Sequence, residues 1–313
     1  MKALIDGDII VYRCAFAAES TRYTLVGSES GIVIGQFDSA KEYKEYASKE
    51  QLEDYDVERE RVVRPLSHAL QNVVTTMDSL RAKLNPEEMY VILSDGIGFR
   101  GDIATIKKYK GNRDDAPKPE WYEETRQFLV DNYGALVYQS VEADDVLALC
   151  QGPDTCIVSI DKDLLQVPGR HYNWVNDARK IVKPEVGIRK LYEQVLTGDS
   201  TDNIPGIRGI GPKTATRMLK DVEPTKKALS AVCTAEWEKY LLKEEDGFHK
   251  IDGSERAFAY LPWYELAEDN FMVVEPEHIA AEVFQLVQVG GTYAKEALAE
   301  AGEALPFTPS EEG

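Results

Sequence analysis

Three aspartates in the sequence each follow a short apolar stretch. Asp6 ends KALID, Asp95 ends YVILSD and Asp161 ends CIVSID. The apolar stretches predict buried strands, and in open α/β sheets ligands collect beyond the carboxyl ends of the strands. We therefore expect the three carboxylates to converge from distant parts of the chain.

Six further acidic residues accompany these positions. Asp163 lies two residues after Asp161, so on an extended segment both side chains point the same way. Glu142 and Asp145 are three residues apart at the start of a predicted helix, which places them on one face. The remaining three acids are Asp144, Asp199 and Asp202.

Such a cluster is unfavourable without cations. One pair of carboxylates about 4 Å apart costs on the order of 4 kcal/mol at an effective dielectric constant of about 20. Several pairs would rival the whole stability of a domain, roughly 5–15 kcal/mol, so the acids must be protonated or hold cations. All candidate ligands are oxygens, which favours magnesium or manganese over zinc. Helix capping is an alternative for each single aspartate but not for the group, and no EF-hand loop supports calcium storage.

The charge distribution allows a nucleic-acid partner in an acidic protein. The net charge is −19, which by itself argues against such a partner. Residues 221–313, however, hold 20 acidic and 7 basic residues, and therefore −13 of that total. Residues 100–113 carry five basic residues against one acid, and residues 206–220 carry four against none. We expect DNA binding to be local to these two segments.

Apolar strands alternate with helices along most of the chain. The pattern predicts strands over 2–5, 89–94, 135–139, 155–160, 171–175 and 179–182, and helices over 65–84, 119–133, 142–150 and 184–196. This alternation is typical of an α/β fold with a mostly parallel sheet covered by helices on both faces. Residues 22–26 and 31–37 predict a hairpin, whereas residues 38–62 are charged and only partly periodic. The polar tail 306–313 is predicted to be disordered.

The composition points to a cytoplasmic protein. The sequence has no apolar run of the roughly 18 residues that a membrane helix needs, and its N-terminus lacks a signal-peptide pattern. Four cysteines without C-x-x-C spacing predict reduced core residues. We expect no membrane partner.

Six sequence stretches resemble the structure-specific 5′ nucleases, above all the phage-type stand-alone 5′–3′ exonucleases. They are LIDGDIIVYR (4–13), LSDGIGFR (93–100), YKGNRD (109–114), VEADDVLA (141–148), VSIDKDLLQ (158–166) and GDSTDNIPGIRGIGPKTA (198–215). They occur in the order found in that family, and the resemblance extends over about half of the chain, mainly 1–16 and 90–220. The resemblance implies a PIN-like core, a helical arch over about 97–126 and a C-terminal helix-hairpin-helix.

The resemblance also implies two Mg²⁺ or Mn²⁺ ions held by the nine acids. One ion would be held by Asp6, Asp95, Glu142 and Asp144, the second by Asp161, Asp163 and Asp202, with Asp145 and Asp199 as bridging or outer ligands. Catalytic residues at the base of the arch would position the 5′ end and the scissile phosphate: Arg100, Lys110 and Arg113. Lys107 and Lys108 would bind DNA, and Tyr109 would stack on a base. A packing aromatic is an equal alternative for Tyr109.

Residues 203–219 resemble the helix-hairpin-helix of the family. Its glycines would expose backbone N–H groups to phosphate, next to the partly positive start of a helix. The DNA-binding residues would be Arg208, Gly209, Gly211, Lys213 and Thr214, with a monovalent cation such as K⁺ at the hairpin. A plain glycine turn is the alternative.

The expected function is hydrolysis of DNA phosphodiester bonds with two metal ions, as a 5′–3′ exonuclease or flap endonuclease in replication, repair or degradation. The substrate would be DNA with 5′ ends, flaps or branches, and an RNA–DNA hybrid is a further candidate. A PIN-type ribonuclease and a non-catalytic helix-hairpin-helix protein are the alternatives. We expect a nuclease core over 1–197, with an insertion at 19–64, followed by a DNA-binding helical region over 198–313.

Overall fold

The computed structural model describes residues 1–113, 117–245, 266–267, 270–271 and 276–309. The chain divides into two compact units. The first comprises Met1–Gly7, Pro86–Ala116 and Ala135–Gly313, and the second comprises Asp8–Asn85 and Pro117–Gly134. The expected boundary between residues 197 and 198 lies inside the first unit, and the functional division expected there stays a prediction.

The first unit is built on a six-stranded sheet in the order β6-β5-β1-β7-β8-β9. Its strands are β1 (Lys2–Asp6), β5 (Glu88–Ser94), β6 (Leu136–Tyr138), β7 (Thr155–Val158), β8 (Gly169–Asn173) and β9 (Ala178–Val182). All neighbouring strands are parallel except β8 and β9. The central strands β1 and β7 are almost wholly buried, which explains why their sequences read as continuous apolar runs.

The helices of the first unit either follow strands of the sheet or pack together around a separate apolar core. They are α4 (Arg100–Ile103), α6 (Ala143–Leu149), α7 (Pro184–Thr197), α8 (Pro212–Leu219), α9 (Lys226–Glu245), α10 (Pro276–Val287) and α11 (Thr292–Ala301). Helices α7 to α10 share an apolar core around the fully buried Trp237. The short strands β10 (Leu266–Ala267) and β11 (Asn270–Phe271) pair with each other.

The second unit combines a small antiparallel sheet with helices. Its strands have the order β3-β2-β4, with β2 (Glu19–Gly27), β3 (Val33–Phe37) and β4 (Tyr55–Val63). Its helices are α1 (Gly7–Phe16), which begins at the last residue of the first unit's N-terminal segment, α2 (Ala40–Lys49), α3 (Leu66–Leu84) and α5 (Tyr122–Tyr133). The predicted hairpin is confirmed by the pairing of β2 with β3.

The predicted α/β class with a mostly parallel sheet is confirmed. The strand predicted over 155–160 is shorter, because the Oγ of Ser159 accepts a hydrogen bond from the Asp161 N–H at 3.0 Å and the chain leaves the ladder. In the described residues 97–113, the only helical turns are α4 and a 3-10 turn at Gly111–Arg113, so the arch stays a prediction. Of the tail, residues 310–313 lie outside the described part. No helix in the described residues has the length and apolar character needed to cross a membrane.

Candidate active site

Acids that follow the parallel strands lie close together at one edge of the sheet. Asp6, at the end of β1, is only 2% exposed and accepts a hydrogen bond from the Oγ of Ser159 at 2.7 Å. The same oxygen accepts from the Asp161 N–H. Ser159 therefore ties the acid that ends β1 to the loop that follows β7.

Asp144 lies at the centre of this acidic group. It occupies the first turn of α6, which begins with a capping box between Glu142 and Asp145. Burial raises the pKa of Asp144 well above its ordinary value. Neighbouring charges raise this pKa further, in the order Asp6, Asp161, Glu142 and Asp145. Carboxylates from β1, from α6 and from the loop after β7 thus share one electrostatic environment.

Asp163 and Asp199 form a second acidic pair. Burial raises the pKa of Asp163 to about 7, helped by the charge of Asp161 and by a hydrogen bond with Asp199. The Oδ1 atom of Asp163 is buried and has no hydrogen-bond partner. Burial would also raise the pKa of Asp199, but hydrogen bonds from Asp163 and Thr201 outweigh it and lower that pKa. Asp163 is therefore the more readily protonated member of the pair.

A tight glycine turn positions the loop that carries Asp199. Gly198 has φ of +62°, and a Cβ there would lie 2.5 Å from the Gly206 nitrogen. A Cβ on Gly206 would lie 2.0 Å from the Thr197 carbonyl oxygen. Asp199 and Ile204 then exchange backbone hydrogen bonds of 3.0 and 2.8 Å. The two glycines in GDSTDNIPG are required because the two ends of the loop are in backbone contact.

The basic segment 108–113 is bonded along its length to this acidic loop. The Asn203 Nδ2 donates a hydrogen bond to the Lys108 carbonyl at 2.8 Å. The Lys110 N–H donates to the Asp202 carbonyl at 2.9 Å, and the Asn112 Nδ2 donates to the Ser200 carbonyl at 2.8 Å. Two cations of the segment pair with acids: the Lys110 ammonium with Glu142, and the Arg113 guanidinium with Asp202. The segment therefore brings positive charge directly into the acidic group.

Tyr109 is buried beneath these charges. Its ring is 4% exposed and packs in the core that α7 to α10 share. The hydroxyl donates to Glu142 Oε2 at 2.6 Å, and Asp202 Oδ2 lies 3.2 Å away. Burial, followed by the charge of Glu142, raises the pKa of Tyr109, which keeps the hydroxyl protonated and donating.

Arg100 and Asp145 form a buried ion pair behind the acids. Arg100 is 2% exposed, and its two terminal nitrogens donate to the two oxygens of Asp145 at 2.6 and 2.9 Å. The same guanidinium lies 3.3 Å from Glu142 Oε2. Asp145 accepts further bonds from the Glu142 and Gly290 N–H groups, at 3.2 and 3.0 Å. Each Asp145 oxygen therefore already accepts two hydrogen bonds, the usual capacity of a carboxylate.

The sequence of the chain is similar to those of known nucleases and polymerases. The chain is 29% identical over 174 residues to a 5′–3′ exonuclease of Buchnera aphidicola subsp. Schizaphis graminum, covering 49% of this chain and 60% of that protein. It is 39% identical over 145 residues to DNA polymerase I of Rhizobium leguminosarum, covering 39% of this chain and 14% of the polymerase. The chain is thus similar in sequence to proteins named 5′–3′ exonuclease.

The fold is similar to that of T5 5′-exonuclease. The superposition has a TM-score of 0.54 at 16% sequence identity and covers 96% of this chain and 93% of the T5 protein. No protein-family model matches the chain. The chain spans 60% of the Buchnera protein and a much smaller part of the polymerase, so these relatives extend beyond the aligned region.

The structure brings most of the predicted site residues to one cavity. Those that line it are Arg100, Tyr109, Lys110, Arg113, Glu142, Asp144, Asp161, Asp163, Asp199 and Asp202. Asp6 is joined to them by its charge interaction with Asp144. Asp95 is not among them: it is exposed after β5, where the side chain of Gln139 donates to it at 3.4 Å.

Two predicted roles conflict with the observed surroundings, and one of the two roles expected for Asp145 is excluded. Tyr109 has no exposed face on which a base could stack, so the packing alternative describes it. Arg100 is buried and bonded at both edges, which leaves it no free edge for a phosphate. The sequence predicts Asp145 as a bridging or outer ligand; its acceptor capacity is already used, so it has no oxygen free for direct contact with an ion and only the outer role fits.

The predicted DNA-binding residues of 203–219 lie around the start of α8. Arg208, Gly209, Gly211 and Lys213 are exposed, and Thr214 is half-buried. The only helix in 203–219 is α8, which packs against α7. The structure therefore does not confirm a complete helix-hairpin-helix in this range. Lys107 is half-buried and Lys108 is exposed.

The cavity suits hard cations in its chemistry, although its cationic side chains are now in contact with the acids. Among the described residues, no group of three or more Asp, Glu, His or Cys side chains is arranged to hold a metal ion. Lys110 and Arg113 instead pair with Glu142 and Asp202. The unpartnered, buried Asp163 oxygen and the all-oxygen donor set nevertheless fit magnesium or manganese.

Several residues of the site are not among those predicted from the sequence. Ser159 joins two acids, and Gln166 and Gln194 are buried beside the cavity. Glu282 of α10 accepts from the N–H groups of Thr105 and Ile106 at 2.9 and 3.0 Å, ahead of the basic segment. Of these residues, Ser159 could most easily have been predicted from the sequence, because it lies two residues before the strand-end Asp161.

Proposed function

We propose that the chain is a divalent-metal-dependent 5′ nuclease that hydrolyses phosphodiester bonds in DNA carrying 5′ ends or flaps. The observation that carries this proposal is the cavity itself. Carboxylates from β1, α6, the loop after β7 and the loop 199–202 converge there, beside the cations of Lys110 and Arg113. The relationship to 5′–3′ exonucleases supports the same reaction. T5 5′-exonuclease, which shares the fold, is described with divalent metal ions (zinc) bound.

The carboxylates of the cavity would hold the ions. We assign Asp6, Glu142, Asp144 and Asp161 to one half of the cavity, and Asp163, Asp199 and Asp202 to the other half. When bound, two Mg²⁺ ions supply an acidified water and stabilise the charge of an in-line displacement at phosphorus. Seven carboxylates have a large excess of negative charge, which the ions would offset and which would otherwise repel a phosphate.

Lys110 and Arg113 would act on the substrate. Both side chains are partly exposed at the cavity. With Glu142 and Asp202 engaged in holding ions, the Lys110 ammonium and the Arg113 guanidinium would be available to the scissile phosphate. There they would orient it and stabilise the charge that grows in the transition state. Tyr109 would keep Glu142 in place through its hydroxyl.

Product sizing tests this proposal. Purified protein would be incubated with magnesium and 5′-labelled DNA that is blunt, nicked or flapped, alongside a flap of the same sequence made of RNA. We expect short 5′ products from DNA. Cleavage confined to the RNA flap would favour a ribonuclease, and binding without any product would favour a non-catalytic DNA-binding protein.

A further inference from the structure

The end of α10 and the loop after it contribute backbone groups to the candidate site. We call residues 286–290 the C-terminal clamp; they lie outside the six stretches that resemble the family. Leu286, Val287 and Val289 line the same cavity as the acids. Each of the five residues also gives one backbone polar group to a buried side chain of the site.

The Arg100 side chain caps the C-terminal end of α10. Its Nε donates to the Leu286 carbonyl at 3.0 Å, and a terminal nitrogen donates to the Gln288 carbonyl at 2.7 Å. The last carbonyls of a helix have no partner within the helix and carry partial negative charge. The buried guanidinium donates hydrogen bonds to these carbonyls and offsets their partial negative charge. Its terminal nitrogens also donate to Asp145.

Gln166 and Asp145 complete the contacts of the clamp. Gln166 donates to the Val287 carbonyl at 2.9 Å and accepts from the Val289 N–H at 3.1 Å. Asp145 accepts from the Gly290 N–H at 3.0 Å. Gln166 ends the 3-10 turn that begins at Asp163, and Asp145 lies in the capping box of Glu142. The two halves of the acidic cavity are thus tied to the same five residues.

We infer that the C-terminal clamp sets the spacing between the two halves of the acidic cavity, and that Arg100 is a positioning residue that does not contact the substrate. This inference rests on the proposed function for its meaning in catalysis. The clamp acts through Arg100 and Asp145 on Glu142, and through Gln166 on Asp163. Groups that orient metal ligands in this way typically change ion affinity or activity by about 10–100-fold when altered.

Two glycines provide a matched pair of variants. Gly290 has φ of +64°, and a Cβ there would lie 2.6 Å from the Ala148 Cβ, so Gly290→Ala displaces the clamp. Gly302 has φ of +68° with no atom within 4 Å of an added Cβ, so Gly302→Ala imposes the same backbone strain away from the clamp. Arg100→Lys is the third variant, because it keeps the charge but loses the two-edged fork.

Terbium luminescence would measure ion binding to the whole chain without DNA, and single-turnover cleavage at saturating DNA would measure the rate. We expect Gly290→Ala and Arg100→Lys to weaken terbium binding about 10–100-fold and to lower the saturated rate, with DNA affinity unchanged. Gly302→Ala should leave both quantities as in the wild type.

Two results would overturn the inference. Loss of DNA affinity in Arg100→Lys with normal terbium binding would mean that Arg100 contacts DNA. Equal losses in Gly302→Ala and Gly290→Ala would mean that general stability, and not the clamp, matters. If the wild-type chain cleaved no DNA, the proposed function would fail, whereas the terbium titrations would still decide whether the clamp positions the acids.

Discussion

Asp163→Asn should stabilise the metal-free protein while removing its ability to use metal. The buried Oδ1 of Asp163 has no hydrogen-bond partner, and its neighbours Asp161 and Asp199 are also acids. Asparagine has nearly the same shape, carries no charge and can still donate a hydrogen bond to Asp199, as the protonated acid does. The variant therefore removes an electrostatic cost without opening a cavity.

The size of the effect follows from the raised pKa of Asp163, about 7 in the folded state against an ordinary value of 3.8. Between these values the folded state binds more protons than the unfolded state, so the free energy of unfolding falls as pH rises through this window. About three pKa units at roughly 1.36 kcal/mol each set an upper limit of about 4 kcal/mol. Solvent screening at this partly exposed group, and the opposing lowered pKa of Asp199, reduce it to about 1–2 kcal/mol.

Urea unfolding in the presence of a chelator measures this effect. We expect Asp163→Asn to exceed the wild type in unfolding free energy by about 1–2 kcal/mol at about pH 8, with little difference near pH 4. Asp95→Asn, which alters an exposed acid outside the cavity, should give no gain. Added magnesium should stabilise the wild type and not Asp163→Asn. If the variant were less stable than the wild type at about pH 8, the charge of Asp163 would be compensated by groups within the chain. It would then not destabilise the metal-free protein.

Three further predictions address single contacts. Lys110→Ala should lower the saturated single-turnover rate on a 5′ flap by roughly 10²-fold, measured by rapid quench, whereas a loss of DNA affinity alone would make Lys110 a tether. Asp145→Asn should lower the free energy of unfolding by about 3–5 kcal/mol in urea, since it removes the carboxylate that binds both terminal nitrogens of the buried Arg100. A change as small as that of Glu60→Gln, at the exposed pair with Arg22, would contradict this. Lys213→Ala should reduce the salt slope of duplex binding by about 1, equally on two unrelated sequences in calcium, and an unchanged slope would exclude a phosphate contact.

The strand-end acids could be predicted because two local signals coincide in them. The buried strands β1, β5 and β7 read as apolar runs, and the aspartates follow these runs at once. Parallel pairing then brings Asp6 and Asp161 to one edge without further information. Asp95 also follows an apolar run, yet it is exposed. The local sequence does not specify the direction in which a side chain points after the end of its strand.

The fate of the basic residues could not be predicted from local sequence. Arg100 follows an exposed-looking glycine-rich stretch, and its burial depends on carbonyls of residues 286 and 288, far along the chain. Tyr109 is buried for the same reason, because its neighbours come from α7 to α10. Only tertiary contacts distinguish a cation that reaches a substrate from one that caps a helix.

The charged segment 38–62 illustrates a second limit. Strand β4 pairs with β2 over nine residues, yet its sequence YDVERERVV carries charges on both faces. Cross-strand pairs such as Arg22 with Glu60, at 3.5 Å, replace the usual apolar alternation. A strand that is largely exposed on both faces gives no clear period-two signal.

The most direct test of the account is metal-dependent cleavage of 5′-labelled flap DNA by the purified chain and by Asp161→Asn, with magnesium and after exhaustive chelation. Asp161 lines the acidic cavity and contributes to the raised pKa of Asp144. We expect short 5′ products from the wild type with magnesium only, and almost none from Asp161→Asn although it still binds the flap. Full cleavage after chelation, or a near wild-type rate in Asp161→Asn, would contradict the central claim that this cavity holds the metal ions.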